Sequence, residues 1–384
     1  MTGHQNPGAP PPAPRLGSVA VIGTGLIGTS IALALRGRGV AVWLTDDDQA
    51  SARLAADLGA GTVLPGAGPL APGGAPRADL AVLAVPPAAV APALESAQAA
   101  GLARWYTDVA SVKCSPLAAA RELGCDLGAF VPGHPLAGRE RSGPAAARAD
   151  LFLGRPWVIC PLDESQPGAV AAVTALARAC RAEPVRLSAA DHDRFVALVS
   201  HAPHVVAAAA AARLAGAPAE ALALAGPGLR DVTRIAAGET GLWTQILAAN
   251  AGPVARVLAE IAADLSAAAE ALADAAAAAG PERAASLKPL AGLLDEGRAG
   301  VARIPGKRGK PPRDDVIVQV VIRDQPGELA RLFQVAGASG VNIEDIGIEH
   351  SPGLPVGVAE LTVRPAAVPR LTEALSAAGW PVRR

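Results

Sequence analysis

Hydrophobic positions along the chain fall into three successive patterns. From residue 19 to about 187, short apolar runs alternate with segments of helical period. Residues 19–22, 41–45, 80–85 and 104–109 read as strands, and 29–35 and 49–58 as helices. The run 80–85, LAVLAV, has no polar alternation, as expected of a strand covered on both faces of a parallel sheet. Residues 157–160 and 185–187 read as the last strands of the same domain. Strands alternating with helices predict a Rossmann-type doubly wound α/β domain, with ligands beyond the strand C-termini.

From residue 188 to about 300 helical periodicity dominates, with breaks expected at Pro203, 216–218, 226–228, 238–241 and 280–281. This part is expected to be all-helical. Residues 303–315, RIPGKRGKPPRDD, have the composition of a linker. Strand patterns then return at 316–322, 342–349 and 356–363, with helices at 326–338 and 369–378. That is most of a βαββαβ unit, a small ferredoxin-like domain. The expected division is a tail at 1–15, an α/β domain at 16–188, a helical domain at 189–302, the linker, and a terminal domain at 316–384.

A chain of 384 residues is long enough for two or three domains. Half of it is hydrophobic, but alanine supplies much of that and aromatics are scarce, which favours close helix packing over a bulky core. A net charge of −1 with no long basic run argues against a nucleic-acid partner. Cys114, Cys125, Cys160 and Cys180 form no CxxC and no zinc spacing, as expected of reduced thiols in a cytoplasmic protein. The first 14 residues are rich in Pro and Gly and lack the apolar core of a signal peptide. The alanine-rich stretch after residue 250 carries Arg256, Glu260 and Asp264, then Glu270 and Asp274, at intervals of four. This is a charged stripe on a water-facing helix, so no membrane partner is expected.

The chemistry begins at VAVIGTGLIGTS, residues 19–30. Gly23, Gly25 and Gly28 stand in GxGxxG spacing between strand and helix, with Leu26 and Ile27 opening the helix. Such a loop serves a tight turn, backbone approach to a pyrophosphate and close helix–strand packing, and the helix N-terminus attracts the phosphates. Asp46 ends the next strand, 18 residues beyond Gly28, and no arginine occurs among the six residues after it. An acidic group there suits the ribose of NAD and repels the 2′-phosphate of NADP. The competing task for 46–48 is to cap the following helix, for which Asp48 is better placed. Ser111, Lys113 and His134 follow strand ends and are further site candidates.

Beside the glycine loop stand DVASVK at 108–113, HPLAG at 134–138 with Glu140 behind it, SHAPH at 200–204, and RDVTRIA at 230–236 with Trp243 downstream. With these motifs in this order, the chain resembles the prephenate/arogenate dehydrogenase family of tyrosine biosynthesis from residue 19 to about 379. The resemblance implies an NAD-binding domain and a helical domain that pairs with a second subunit, hence a homodimer. It implies oxidative decarboxylation of prephenate, or of arogenate, with a hydride passing to NAD.

By the same resemblance His134 is the general base on the ring hydroxyl and Ser111 its neighbour. Arg234 anchors a carboxylate, and His201, Arg230 and Trp243 line the substrate pocket. Lys113, next to Cys114 where the family usually has glycine, could be solvated. The i, i+3 pair His201 and His204 invites a metal reading, but no further ligand cluster accompanies it, so no metal is expected. The terminal domain resembles an ACT domain, with Asp324, Gln325, Pro326 and Gly327 in its ligand loop and Asn342 and Ile343 at its second strand. That implies regulation by an amino acid, tyrosine being the natural one.

Two other readings compete with the enzyme. The β-hydroxyacid dehydrogenases need a catalytic lysine in their helical domain, and residues 188–280 contain none. A non-catalytic amino-acid sensor would have no use for Ser111, His134, His201 and Arg234 together.

Overall fold

The computed structural model describes residues 16–64, 77–138, 142–304, 315–350 and 355–383. The tail, most of the linker, Glu140 and residues 351–354 lie outside the described residues. The chain divides into two compact units, Met1–Ile261 and Ala262–Arg384.

The first unit opens with β1 (Ser18–Ile22), α1 (Leu26–Arg36), β2 (Ala41–Thr45), α2 (Gln49–Asp57) and β3 (Thr62–Val63). It continues with β4 (Ala78–Leu83), α3 (Val90–Ala99), β5 (Ala103–Asp108) and α4 (Cys114–Glu122). The five strands form a parallel sheet in the order β3-β2-β1-β4-β5. The order reverses between β1 and β4, so a crevice opens beyond their C-terminal ends. Alternation along β1 explains its unbroken apolar run. Val19 and Val21 pack with Ile31 and Leu35 on one face, and Ala20 packs with Leu83, Leu94 and Tyr106 on the other. Each fully buried Val or Leu contributes about 1.5–3 kcal/mol.

The next strands depart from expectation. β6 (Gly133–Pro135), β7 (Pro156–Ile159) and β8 (Glu183–Arg186), with α5 (Pro167–Ala179) between the last two, form a separate three-stranded sheet. β6 runs antiparallel to β7, and β7 parallel to β8. A single bridge from Tyr106 to Phe130 connects β5 to the segment before β6.

Helices follow: α6 (Ala189–Val196), a π-helical turn (Ala197–His201), α7 (Ala202–Ala212), α8 (Ala219–Leu222), α9 (Pro227–Thr233) and α10 (Thr240–Ala249). The break expected at Pro203 does not occur. The chain runs on through Ala189–Ala212, and the π turn immediately before Pro203 absorbs the ladder position that its missing N–H leaves open. By length and composition this run could cross a bilayer. Its Asp193, however, is buried and receives backbone amides from the turn after β5, the arrangement of a helix in a protein core.

The division between units falls inside α11 (Ala251–Ala277). The second unit then holds α12 (Gly280–Ser286) and α13 (Lys288–Ala302). β9 (Val316–Arg323), α14 (Glu328–Ala338), β10 (Asp345–His350), β11 (Val356–Val363), α15 (Val368–Ala377) and β12 (Val382–Arg383) complete it. The four strands make an antiparallel sheet in the order β10-β11-β9-β12, the βαββαβ arrangement expected. Alternate residues Ala359, Leu361 and Val363 of β11 are buried with Leu332 of α14 and Leu371 and Leu375 of α15.

Candidate active site

A cleft of about 480 Å³ opens at the reversal between β1 and β4, lined by Gly23, Gly25, Asp46, Val85, Pro86 and Ser96 among others. Its three loop glycines meet different demands. Gly23 has φ +95°, and a Cβ there would stand 2.3 Å from the Ala84 carbonyl oxygen. A Cβ on Gly28 would stand 1.9 Å from the Gly23 carbonyl oxygen. A Cβ on Gly25 would meet nothing within 4 Å, so that face of the loop is open. Among the described residues no side chain caps the N-terminus of α1, at Leu26 and Ile27, where the N-cap is Gly25, and its amides can serve an anion. This is the fit a dinucleotide requires.

Asp46 Oδ2 accepts from the Thr24 amide (2.5 Å) and hydroxyl (2.8 Å), and Oδ1 from the Asp48 amide (2.9 Å). The glycine loop itself thus holds this carboxylate at the cleft wall. Asp48 caps α2 through the amides of Ala50 and Ser51.

A buried ion pair organises the next part. Lys113 Nζ contacts Asp108 Oδ2, both side chains being almost wholly buried. Lys113 is therefore not solvated, in contrast to the open alternative at the sequence level. The same Nζ donates to the Gly133 carbonyl (2.6 Å), while Asp108 Oδ1 accepts from the Gly133 amide (3.2 Å). Both ends of Gly133 are gripped, and His134 is the next residue. Ser111 lies half-buried in the turn between β5 and α4.

From His134 a polar network runs into the helices. His134 Nδ1 lies 2.8 Å from His192 Nε2, and His192 Nδ1 lies 2.7 Å from Asp193 Oδ1. Asp193 also accepts from the amides of Lys113 (2.8 Å, Oδ1) and Cys114 (2.8 Å, Oδ2). Asn250 Nδ2 donates to the Asp193 carbonyl (2.8 Å) and to His201 Nδ1 (3.1 Å). Since that nitrogen can only donate, His201 accepts at Nδ1 and carries its proton on Nε2. His201 meets Trp243 edge-on, with ring centroids 6.2 Å apart, and His204 stacks on Trp243 at 3.5 Å. Gly238 makes room for this stack: a Cβ there would stand 2.4 Å from Trp243 Nε1.

Burial keeps His134 and His201 neutral. Burial, reinforced by His192, Lys113 and His201, holds His134 well below its ordinary 6.5. Burial likewise takes His201 down to about 4. Burial alone would raise the Asp193 carboxyl, but hydrogen bonds from His192 and the Cys114 and Lys113 amides outweigh it and leave Asp193 below the usual range. Burial and Asp193 together push the Cys114 thiol up to about 11. Among the described residues only Arg181 combines a side chain with positive φ, so Cys114 starts α4 without backbone strain.

The structure thus joins His134, His201, His204 and Trp243 in one network. It leaves Arg230 on exposed α9 and Arg234 on the exposed turn Arg234–Ala237. That turn packs on α7, and α10 packs on the turn Pro87–Ala89 beside the cleft. In the second unit, Asp324, Gln325, Pro326 and Gly327 form the loop from β9 into α14. There Gly327 has φ +88° and Gln325 Nε2 donates to Glu328 Oε2 (3.2 Å). Asn342 and Ile343 precede β10 rather than opening it, and Asn342 bonds Glu344 (2.9 Å).

Comparison with known proteins bears on this site. The family model for the prephenate dehydrogenase nucleotide-binding domain matches residues 31–186, and that for the prephenate dehydrogenase dimerization domain matches residues 188–279. A probable prephenate dehydrogenase, NovF, of Streptomyces niveus is 40% identical over 366 residues, covering 95% of this chain and 99% of that one. The chain belongs to the prephenate dehydrogenase family. Prephenate dehydrogenase of Aquifex aeolicus, solved with hydroxyphenyl propionate and NAD+, shares the fold at a TM-score of 0.62 and 23% identity, covering 75% of this chain and 99% of that one. Synechocystis arogenate dehydrogenase aligns at a TM-score of 0.56 and 26% identity, covering 73% and 99%.

Four members of the network were not singled out from the family's motifs: Asp108, His192, Asp193 and Asn250. Asp108 stood inside the quoted DVASVK segment. His192 and Asp193 carried a local signal, two adjacent polar residues one turn into a helix capped by Ser188. Asn250 carried none.

Proposed function

We propose that this protein is an NAD-dependent prephenate dehydrogenase, converting prephenate to 4-hydroxyphenylpyruvate. The observation that carries the reading is His134, a histidine that burial keeps neutral, in a chain of this family that also holds a dinucleotide cleft. Gly23, Gly25, Leu26, Ile27 and Gly28 receive the pyrophosphate, and Asp46 the ribose. When bound, NAD takes up the hydride that leaves the ring carbon.

The chain's own residues do the rest. His134 accepts the proton of the ring hydroxyl as a carbonyl forms there, and departure of the ring carboxylate as CO2 completes aromatisation. Ser111 orients the same hydroxyl. His201, a donor at Nε2, with Arg230, Arg234 and Trp243, holds the acidic groups. NADH formation from prephenate, followed by absorbance, tests the assignment. Turnover of prephenate supports it, and silence with both prephenate and arogenate, despite bound NAD, refutes it.

Arogenate, which carries an amino group where prephenate has a keto group, is the second reading, and the Synechocystis likeness favours it. It calls for a carboxylate to pair the ammonium. Of the two acidic residues near Arg234, Glu239 uses both oxygens to cap α10 through the Gly241 and Leu242 amides, and Asp231 lies on exposed α9. This supports prephenate. Turnover of arogenate alone reverses the choice.

The domain division proposed is an NAD-binding domain to residue 188, a helical domain to 302 and an ACT domain from 316. The ACT domain, through Asp324, Gln325, Pro326, Gly327, Asn342 and Ile343, binds tyrosine and restrains activity. Deleting the residues after Arg303 abolishes tyrosine sensitivity if so, and leaves it unchanged if not. A cytoplasmic homodimer formed through the helical domain accounts for the exposed Leu198, Val199, Leu224 and Val232, and light scattering tests it.

A further inference from the structure

The His134–His192–Asp193 chain has a direction, and that direction decides which nitrogen of His134 is free. Asp193 is held by two backbone amides, one on each oxygen, and its carboxyl is pulled below the usual range. As an ionised carboxylate it can only accept hydrogen bonds. The proton between Asp193 Oδ1 and His192 Nδ1, 2.7 Å apart, therefore belongs to His192 Nδ1. If that is the only proton His192 carries, its Nε2 bears a lone pair, 2.8 Å from His134 Nδ1. That contact requires the proton to sit on His134 Nδ1. His134 Nε2 is left bare, the one ring nitrogen able to accept a proton.

We propose that His192 and Asp193 are positioning residues that lock His134 in its Nδ1–H tautomer and present Nε2 as the proton acceptor. This rests on the reading of His134 as the base. When the substrate hydroxyl passes its proton to Nε2, His134 becomes an imidazolium whose Nδ1–H remains bonded to His192. His192 in turn remains bonded to the fixed carboxylate, and no proton need move further. The carboxylate stabilises the cation through one intervening ring. Every partner in the chain is rigidly placed: His192 is fully buried, and its ring meets that of His134 edge-on with centroids 5.1 Å apart. The turn amides that hold Asp193 belong to Lys113, whose side chain grips Gly133, and to Cys114. Both ends of the chain are thus anchored to the same turn.

The test is direct, because the protein has six histidines and their ring nitrogens are distinguishable by ¹⁵N NMR. Spectra of the wild-type protein, with His134 assigned by comparison with His134→Asn, should show a pyrrole-type Nδ1 and a pyridine-type Nε2. A protonated Nε2 on His134 overturns the proposal, and is the result expected if His192 is instead an imidazolium donating at both nitrogens.

Kinetics give a second, independent readout. His192→Leu should lower kcat by ~10²-fold or more while KM for prephenate stays within about threefold, and should leave His134 a mixture of tautomers. His192→Gln retains a donor for Asp193 and an acceptor for His134, and should recover kcat to within about tenfold of wild type. An unchanged kcat and a single unchanged tautomer in His192→Leu overturn the proposal; should that variant not fold, the wild-type spectrum and His192→Gln still decide. Failure of the base reading looks different: His134→Asn would keep full activity whatever the His192 variants do.

Discussion

Lys113 Nζ donates to the carbonyl oxygen of Gly133, 2.6 Å away, and so fixes the peptide immediately before His134. The ammonium doing this is buried and neutralised by Asp108. Removing one partner strands the other's charge in the interior. Lys113→Met should therefore destabilise the first unit by about 3–5 kcal/mol, and adding Asp108→Asn should restore part of the loss. Denaturant unfolding of the two variants checks this, and equal stability of the single variant and wild type would contradict it.

The glycine loop offers a paired comparison. Gly28→Ala forces a Cβ to within 1.9 Å of a backbone oxygen, and should cost about 1–3 kcal/mol of stability. Gly25→Ala meets nothing within 4 Å among the described residues and should change stability by less than about 0.5 kcal/mol. Its methyl group instead fills the space through which a pyrophosphate approaches, so NAD affinity should fall at least ~10-fold. Thermal unfolding and NADH titration separate the two effects.

Asp46 is held in place by Thr24. Asp46→Asn removes the charge while keeping the size, and should weaken NAD binding and narrow the preference for NAD over NADP. Measured Kd values for both nucleotides decide; an unchanged ratio would leave Asp46 as part of the loop only.

Two histidines give opposite-looking pH effects with one origin. With His134 as the proposed base its neutral form is the active one, and burial holds its pKa well below 6.5. The acid limb of kcat/KM should thus lie below pH 6.5. His201 is pushed to about 4 in the folded state, against 6.5 when exposed. Between those values the unfolded chain binds more protons, so stability falls as pH drops from 6.5 towards 4. A Tm that stays level over this window would show that His201 is not buried as described.

Much of this protein was legible in order along the chain, because its signals are local. The unbroken apolar run at 80–85 marks a strand covered on both sides, GxGxxG followed by Asp46 marks a cleft, and the alternation at 356–363 marks a half-buried sheet. Each depends on neighbours within one strand or one strand–helix–strand unit. Pro203 shows the limit of that logic. Locally it ends a helix, yet the structure carries the helix on, with a π turn at Ala197–His201 just before it and hydrogen-bonded, buried Asp193 and His201 on the same run.

The amino-acid sequence determined the kind of residue at each site position, and the tertiary structure decided how those residues are wired. Lys113 became a clamp rather than a surface charge only through Asp108 and Gly133, the latter 20 residues away. His192, Asp193 and Asn250 entered the site only because the turn after β5 lies against α6, bringing Lys113 within 2.8 Å of a residue 80 positions distant. Direct hydrogen bonds act over about 3 Å, so a network of them exists only where the chain has already folded back on itself.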